Sequence, residues 1–106
     1  MSKYVLVYTG GGQPASEAEG QAVMKAWIDW FSALGTAVVD AGNPFHPAAR
    51  HIGSNGQVTN SPDGVPATGY SIIEADSLDA ATALARRCPQ LRSGGEINVY
   101  EIVNMM

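Results

Sequence analysis

The sequence predicts an α+β sandwich of order β-α-β-β-α-β, and three observations carry that reading. Four runs rich in β-branched and aromatic residues, at 4–8, 36–41, 69–75 and 96–103, have strand composition. Two stretches repeat apolar residues at helical spacing behind a capping residue. The six elements alternate as two β-α-β halves within 106 residues, a length that holds one domain, residues 1–106, and one core.

Each element has its own justification. The first strand, 4–8, ends at Gly10-Gly11-Gly12, and Pro14 blocks any earlier helix start. Ser16-Glu17-Ala18-Glu19 fits a capping box, so the first helix begins there. Val23, Trp27, Trp30, Phe31 and Leu34 fall on its core face, Gln21, Lys25, Asp29 and Ser32 opposite, and Gly35 ends it. The second strand, 36–41, stops at Gly42-Asn43-Pro44. Residues 43–68 hold four prolines and cannot form a long helix, but 52–59 suit a small hairpin around Asn55-Gly56. The third strand, 69–75, leads to Asp76 or Ser77 as the cap of a second helix. That helix runs through Arg87, with Leu78, Ala81, Leu84, Ala85 and Cys88 inward, and Pro89 stops it. Gly94-Gly95 opens the last strand, 96–103. This order is that of a ferredoxin-like sandwich, an antiparallel four-stranded sheet with both helices on one face.

Composition narrows the function classes. Six Lys and Arg against ten Asp and Glu give a net charge of -4, the wrong sign for tracking phosphates, so no nucleic acid is expected as partner. No apolar run approaches the roughly 20 residues of a membrane span, and no membrane is expected. Cys88 is the single cysteine and has no internal disulfide partner, which suits a reducing, cytoplasmic location. At the carbonyl end of a helix its thiolate is disfavoured, so it reads as a buried structural residue.

Strand alternation bears on assembly. Val5, Val7, Val39, Ile73, Ala75, Ile97 and Val99 are assigned beneath the helices, being small or branched. The other face then carries Tyr4, Leu6, Tyr8, Val38, Asp40, Tyr70, Ile72, Asn98, Tyr100 and Ile102, too apolar to lie open in water. With no third layer in the chain, the expected cover is a second copy on a two-fold axis, and a homodimer follows.

The order of several motifs resembles the YCII-related family, including its DGPF-type members. The carriers are Lys3-Tyr4-Val5-Leu6-Val7-Tyr8, residues 27–35 followed by Val39-Asp40-Ala41-Gly42-Asn43-Pro44, the block from Gly69-Tyr70 through Glu74-Ala75-Asp76-Ser77-Leu78-Asp79-Ala80, and Arg87-Cys88-Pro89. The resemblance spans nearly the whole chain and implies the dimeric α/β-barrel variant of the ferredoxin-like fold. It also implies either lyase, dehalogenase or isomerase-like chemistry, or an accessory role, since some DGPF-type relatives look like partners of alternative sigma factors. Family enzymes look to use a His-Asp pair with the histidine in the first helix. Here that helix has no histidine and Asp29 lies mid-helix, so the pair is carried to no position. Asp63-Gly64 stands where DGPF-type members have Asp-Gly-Pro-Phe.

The residues themselves offer a candidate site. His46, bracketed by Pro44 and Pro47, and Asp40 at a strand end are the candidate acid-base groups; the plainer reading is a solvated loop histidine and a turn-capping aspartate. Tyr8, Tyr70, Asn98 and Tyr100 are the candidate substrate-binding residues between two sheets, where a phenol can both pack and hydrogen-bond; alternatively they fill the dimer interface. His46 and His51 have no third ligand nearby, so no metal is expected, and no cofactor. Gly10-Gly11-Gly12-Gln13-Pro14-Ala15 mimics a dinucleotide fingerprint but lacks its strand-turn-helix context. Trp27 and Trp30 read as core. Two functions therefore compete: an enzyme acting on a small organic molecule, or a non-catalytic ligand-binding or accessory protein.

Overall fold

A computed structural model describes residues 1–105. The elements are β1 (Ser2–Thr9), α1 (Glu17–Leu34), β2 (Val38–Asp40), β3 (His51–Ile52), β4 (Val58–Thr59), β5 (Ala67–Ala75), α2 (Leu78–Ala85) and β6 (Glu96–Ile102), with 3-10 turns at Gly35–Ala37 and Pro89–Ser93. The main sheet has the order β2-β5-β1-β6, and every pair in it is antiparallel. This is the expected α+β sandwich, and β3 and β4 form the expected hairpin, closed by Gly56 N–H donating to the Gly53 carbonyl.

Both helix starts follow the sequence. Ser16 Oγ accepts from Glu19 N–H at 3.1 Å, and Ser77 Oγ accepts from Ala80 N–H at 3.0 Å, each satisfying a free donor of the first turn. The helix ends differ from one another. Gly35 ends α1 with a positive φ of 57°, as expected, whereas α2 stops at Ala85 rather than Arg87, because Pro89 forces the preceding Cys88 into extended backbone. Leu78, expected inward, is 49% exposed at the first turn of α2. The second strand is also shorter than expected, since residues 35–37 wind into a 3-10 turn.

The core corrects the face assignment of β1. Tyr4, Leu6 and Tyr8 are buried against the helices, and Val5 and Val7 point to the other side. Register explains this: Tyr4 pairs with Ile73 and Leu6 with Ser71 and Val99, and directly opposed residues share a face. On that side their large side chains fill the core, where the Tyr8 ring meets Trp27. Ile73, Ala75, Ile97 and Val99 lie beneath the helices as expected. Trp30 is buried, and Trp27, Phe31 and Leu34 pack around it. Edge-on aromatic contacts join Tyr8 to Trp27 at 5.2 Å and Trp27 to Trp30 at 5.8 Å, so both tryptophans are core.

The outer face of the sheet, away from the helices, carries Val5, Val7, Tyr70, Ile72, Asn98, Tyr100 and Ile102. Tyr100 is 57% exposed and Ile102 40%. Among the described residues no helix is long and apolar enough to cross a membrane.

Candidate functional site

The site grows from an irregularity in β2. Val38 pairs with Ile73, but Asp40 pairs with Ile72, so β2 spends one more residue than β5 over this step. A regular register would set Asp40 opposite Ser71 on the helix side; the bulge turns it to the outer face. It also puts Val38 on the helix side, opposite to the sequence expectation, and leaves Val39 43% exposed instead of beneath the helices.

Beyond the bulge comes the segment Asp40-Ala41-Gly42, which keeps the direction of β2 along β5. Gly42 N–H donates to Asp40 Oδ1 at 2.9 Å, an Asx turn. Gly42 has a φ of 75°, and a Cβ at this position would run into the carbonyl of Tyr70, so only glycine fits. The other carboxylate oxygen, Oδ2, accepts from Tyr70 Oη at 2.9 Å. That hydrogen bond, with the negative charge of Asp40 beside it, raises the pKa of the Tyr70 phenol and keeps it protonated.

After the turn the chain continues along β5. Pro44 bridges to Gly69, and Phe45 N–H donates to the Thr68 carbonyl at 2.8 Å. This sets the Phe45 ring in a stacked arrangement with Tyr70, centroids 5.9 Å apart and planes at 25°. Phe45 remains 46% exposed. An aromatic pair beside a carboxylate therefore stands open on the outer face.

The structure brings some of the expected site residues together and separates others. Asp40 and Tyr70 are in contact. Asn98 shares a row with Tyr70 through their common neighbour Val7, and Tyr100 lies one row along, opposite Val5. Tyr8 does not join them. It lies on the helix side, buried, with its hydroxyl donating to Ser71 Oγ at 2.7 Å, and burial raises its pKa. His46 is exposed on the loop, and its Nδ1 accepts from Ala48 N–H at 3.0 Å, so its hydrogen bond and those of Asp40 run to different partners. With Nδ1 accepting, a neutral ring carries its proton on Nε2.

Phe45, Gly42 and Ser71 were not singled out from the sequence. Phe45 follows a proline in a loop, where periodicity is silent, and Gly42 reads as an ordinary strand stop. Ser71 became visible only with the register.

Elsewhere the surface is less built. Two open clefts of about 430 Å³ run along α1 and the Pro89–Ser93 turn, and both lie apart from Asp40 and Tyr70. The glycine turn after β1 is engaged by its own chain: Gly12 N–H donates to the Ser93 carbonyl, and Gln90 Nε2 donates to Thr9 and Gly10 carbonyls. Among the described residues, no three His, Cys, Asp or Glu side chains cluster to hold a metal ion.

Comparison with known proteins gives two findings. The YCII-related domain matches residues 3–106. The fold is similar to that of 5-chloro-2-hydroxyhydroquinone dehydrochlorinase from Burkholderia phenoliruptrix AC1100, solved in complex with 2,5-dihydroxybenzoquinone, at 19% identity and a TM-score of 0.53 over 94% of this chain and 93% of that one. No curated protein matches the sequence.

Proposed function

The chain belongs to the YCII-related family, and from that premise we propose that it is a homodimer binding a small cyclic organic molecule on the outer face of its sheet, over Asp40, Phe45 and Tyr70. The observation that carries this reading is the Tyr70 to Asp40 hydrogen bond at 2.9 Å, set beside the exposed Phe45 ring. Flat apolar ligands stack on such rings, and a ligand hydroxyl finds lone pairs left on a carboxylate that accepts one bond per oxygen. The second copy closes the face that Val5, Ile72, Tyr100 and Ile102 leave open. The sheet, the two-residue aromatic stack and the long loop then surround one pocket.

In the catalytic version, of lyase, isomerase or dehalogenase type, Asp40 takes a proton from a ligand hydroxyl or activated C–H. Tyr70 holds the carboxylate in place and donates to a developing oxyanion when it swings to the ligand. His46 approaches from the loop and exchanges a proton through Nε2. The dehydrochlorinase of similar fold acts on a hydroxylated ring, which makes hydroxylated quinones the first ligands to try. A second reading, a non-catalytic binding or accessory protein, is favoured by the separate hydrogen bonding of His46 and Asp40.

The test is calorimetric titration of the tag-free protein with 2,5-dihydroxybenzoquinone, with native mass spectrometry to count subunits. Saturable binding by a dimer is expected, weakened about tenfold or more by Tyr70→Phe and by Asp40→Asn, as the loss of one charge-assisted bond implies. Binding that ignores both substitutions, or a monomer at micromolar concentration, overturns the proposal. Turnover with a bell-shaped pH profile selects the enzyme, and binding without turnover selects the second reading.

A further inference from the structure

We infer that Ser71, fully buried on the helix side of the sheet, is the positioning residue that holds Asp40 ready for a ligand on the opposite side. This rests on the Asp40 and Tyr70 site proposed above and adds the part that keeps it in shape. Ser71 Oγ donates to the carbonyl of Ala41 at 2.7 Å, and Tyr8 Oη donates to Ser71 Oγ at 2.7 Å. The directions are fixed by chemistry. A carbonyl only accepts, so the one serine proton goes to Ala41, and the phenol proton of Tyr8 must then go to the serine oxygen.

The consequence is a clamp on the Asp40-Ala41-Gly42 turn made by two successive residues of β5. Strand alternation sends Tyr70 and Ser71 to opposite faces, so Tyr70 holds Asp40 from outside while Ser71 holds Ala41 from inside. The backbone between them abuts Gly42, the residue whose N–H caps the first oxygen of the carboxylate. Three consecutive turn residues are thus tied to one dipeptide. The bulge that exposes Asp40 leaves the β2 ladder irregular at this point, and the Ser71 bond supplies an anchor where the ladder does not. The Tyr8 hydroxyl gives the fully buried serine oxygen a donor, which keeps the relay free of an orphaned polar atom.

The experiment uses the full chain and the matched substitutions Ser71→Thr and Ser71→Val, which have the same shape and differ in one hydroxyl, with Ser71→Ala as the smaller variant. Two signals are read by NMR: exchange of the Gly42 amide, and the Tyr70 ring carbon bearing the hydroxyl as the phenol titrates. Charged and titratable groups on the same face are Asp40, Lys3, Glu74, Glu96 and Tyr100, with His46 on the adjoining loop, and Asp40→Asn serves as the reference that removes the Asp40 contribution.

Expected results are about tenfold faster Gly42 exchange and a Tyr70 titration moved toward that of Asp40→Asn in Ser71→Val and Ser71→Ala, with Ser71→Thr staying at the wild-type values. The overturning result is a wild-type Tyr70 titration and Gly42 exchange in folded Ser71→Val or Ser71→Ala. If that happens while Asp40→Asn still shifts Tyr70, the Asp40 and Tyr70 pair stands and only the role of Ser71 falls. If Asp40→Asn leaves Tyr70 unmoved, the pair itself is absent and both readings fall together.

Discussion

Tyr8 and Tyr70 lie one register step apart on adjacent strands of one sheet, Tyr8 opposite Gly69 and Tyr70 opposite Val7, and they occupy opposite faces. One step of register changes everything about a phenol. Tyr8 is buried among Trp27 and Ser71 and acts as a structural donor, while Tyr70 stands at an open face and donates a hydrogen bond to a carboxylate.

The two tyrosines should therefore respond differently to the same change. Tyr8→Phe removes a buried hydroxyl and strips Ser71 of its donor, and it is expected to cost about 1–2 kcal/mol. Tyr70→Phe removes an exposed hydrogen bond and should shift stability by less than about 0.5 kcal/mol while weakening ligand binding. Urea denaturation of both variants checks this, and equal losses would refute the placement of the two rings.

Cys88 gives a pH signature on the alkaline side. Burial pushes its thiol up to about 11, against a smaller lowering from the Gln90 backbone, the Tyr8 hydroxyl and Arg92. The folded protein therefore holds this proton more tightly than the unfolded chain. The stabilisation is whole below the unfolded value near 9 and is lost as the pH rises to about 11. Thermal melts across that range should show a falling Tm that is flatter in Cys88→Ala. The thiol should also react slowly with a disulfide reagent at neutral pH, in step with unfolding.

Gly42 should tolerate no side chain. Gly42→Ala sets a Cβ against the Tyr70 carbonyl at a positive φ, and a loss of about 2 kcal/mol or more is expected. Gly56→Ala is the control, since it has a positive φ of 86° but no atom near its Cβ. It should cost less, near 1 kcal/mol. Comparable losses at both positions would mean that the turn is not wedged against β5.

In the proposed homodimer, placing a charge in the middle of the outer face should separate the subunits. Ile72 is flanked there by Val5, and Ile72→Glu would force a carboxylate into the surface that the proposed second copy covers. Light scattering is expected to show a folded monomer for this variant and a dimer for the wild type. The equivalent exposed change on the helix side, Met24→Glu, should leave the dimer intact.

Local chemistry was readable in the sequence, and the register was not. Ser16 and Ser77 cap their helices, Gly35 and Pro89 punctuate them, Trp27 and Trp30 keep helical spacing, and Asn55-Gly56 marks a hairpin; each depends on neighbours within a few residues. The order of elements and the β-α-β-β-α-β sandwich followed from these local signals. The fate of Tyr4, Leu6 and Tyr8 did not, because a strand with apolar residues on both sides has no preferred face until its partners are known. The bulge at Asp40, the stacking of Phe45 on Tyr70 and the buried bond from Ser71 to Ala41 join residues 25 to 35 positions apart. Such contacts are set by how β2 meets β5, a balance of packing over the whole sheet, so only the tertiary structure decides them.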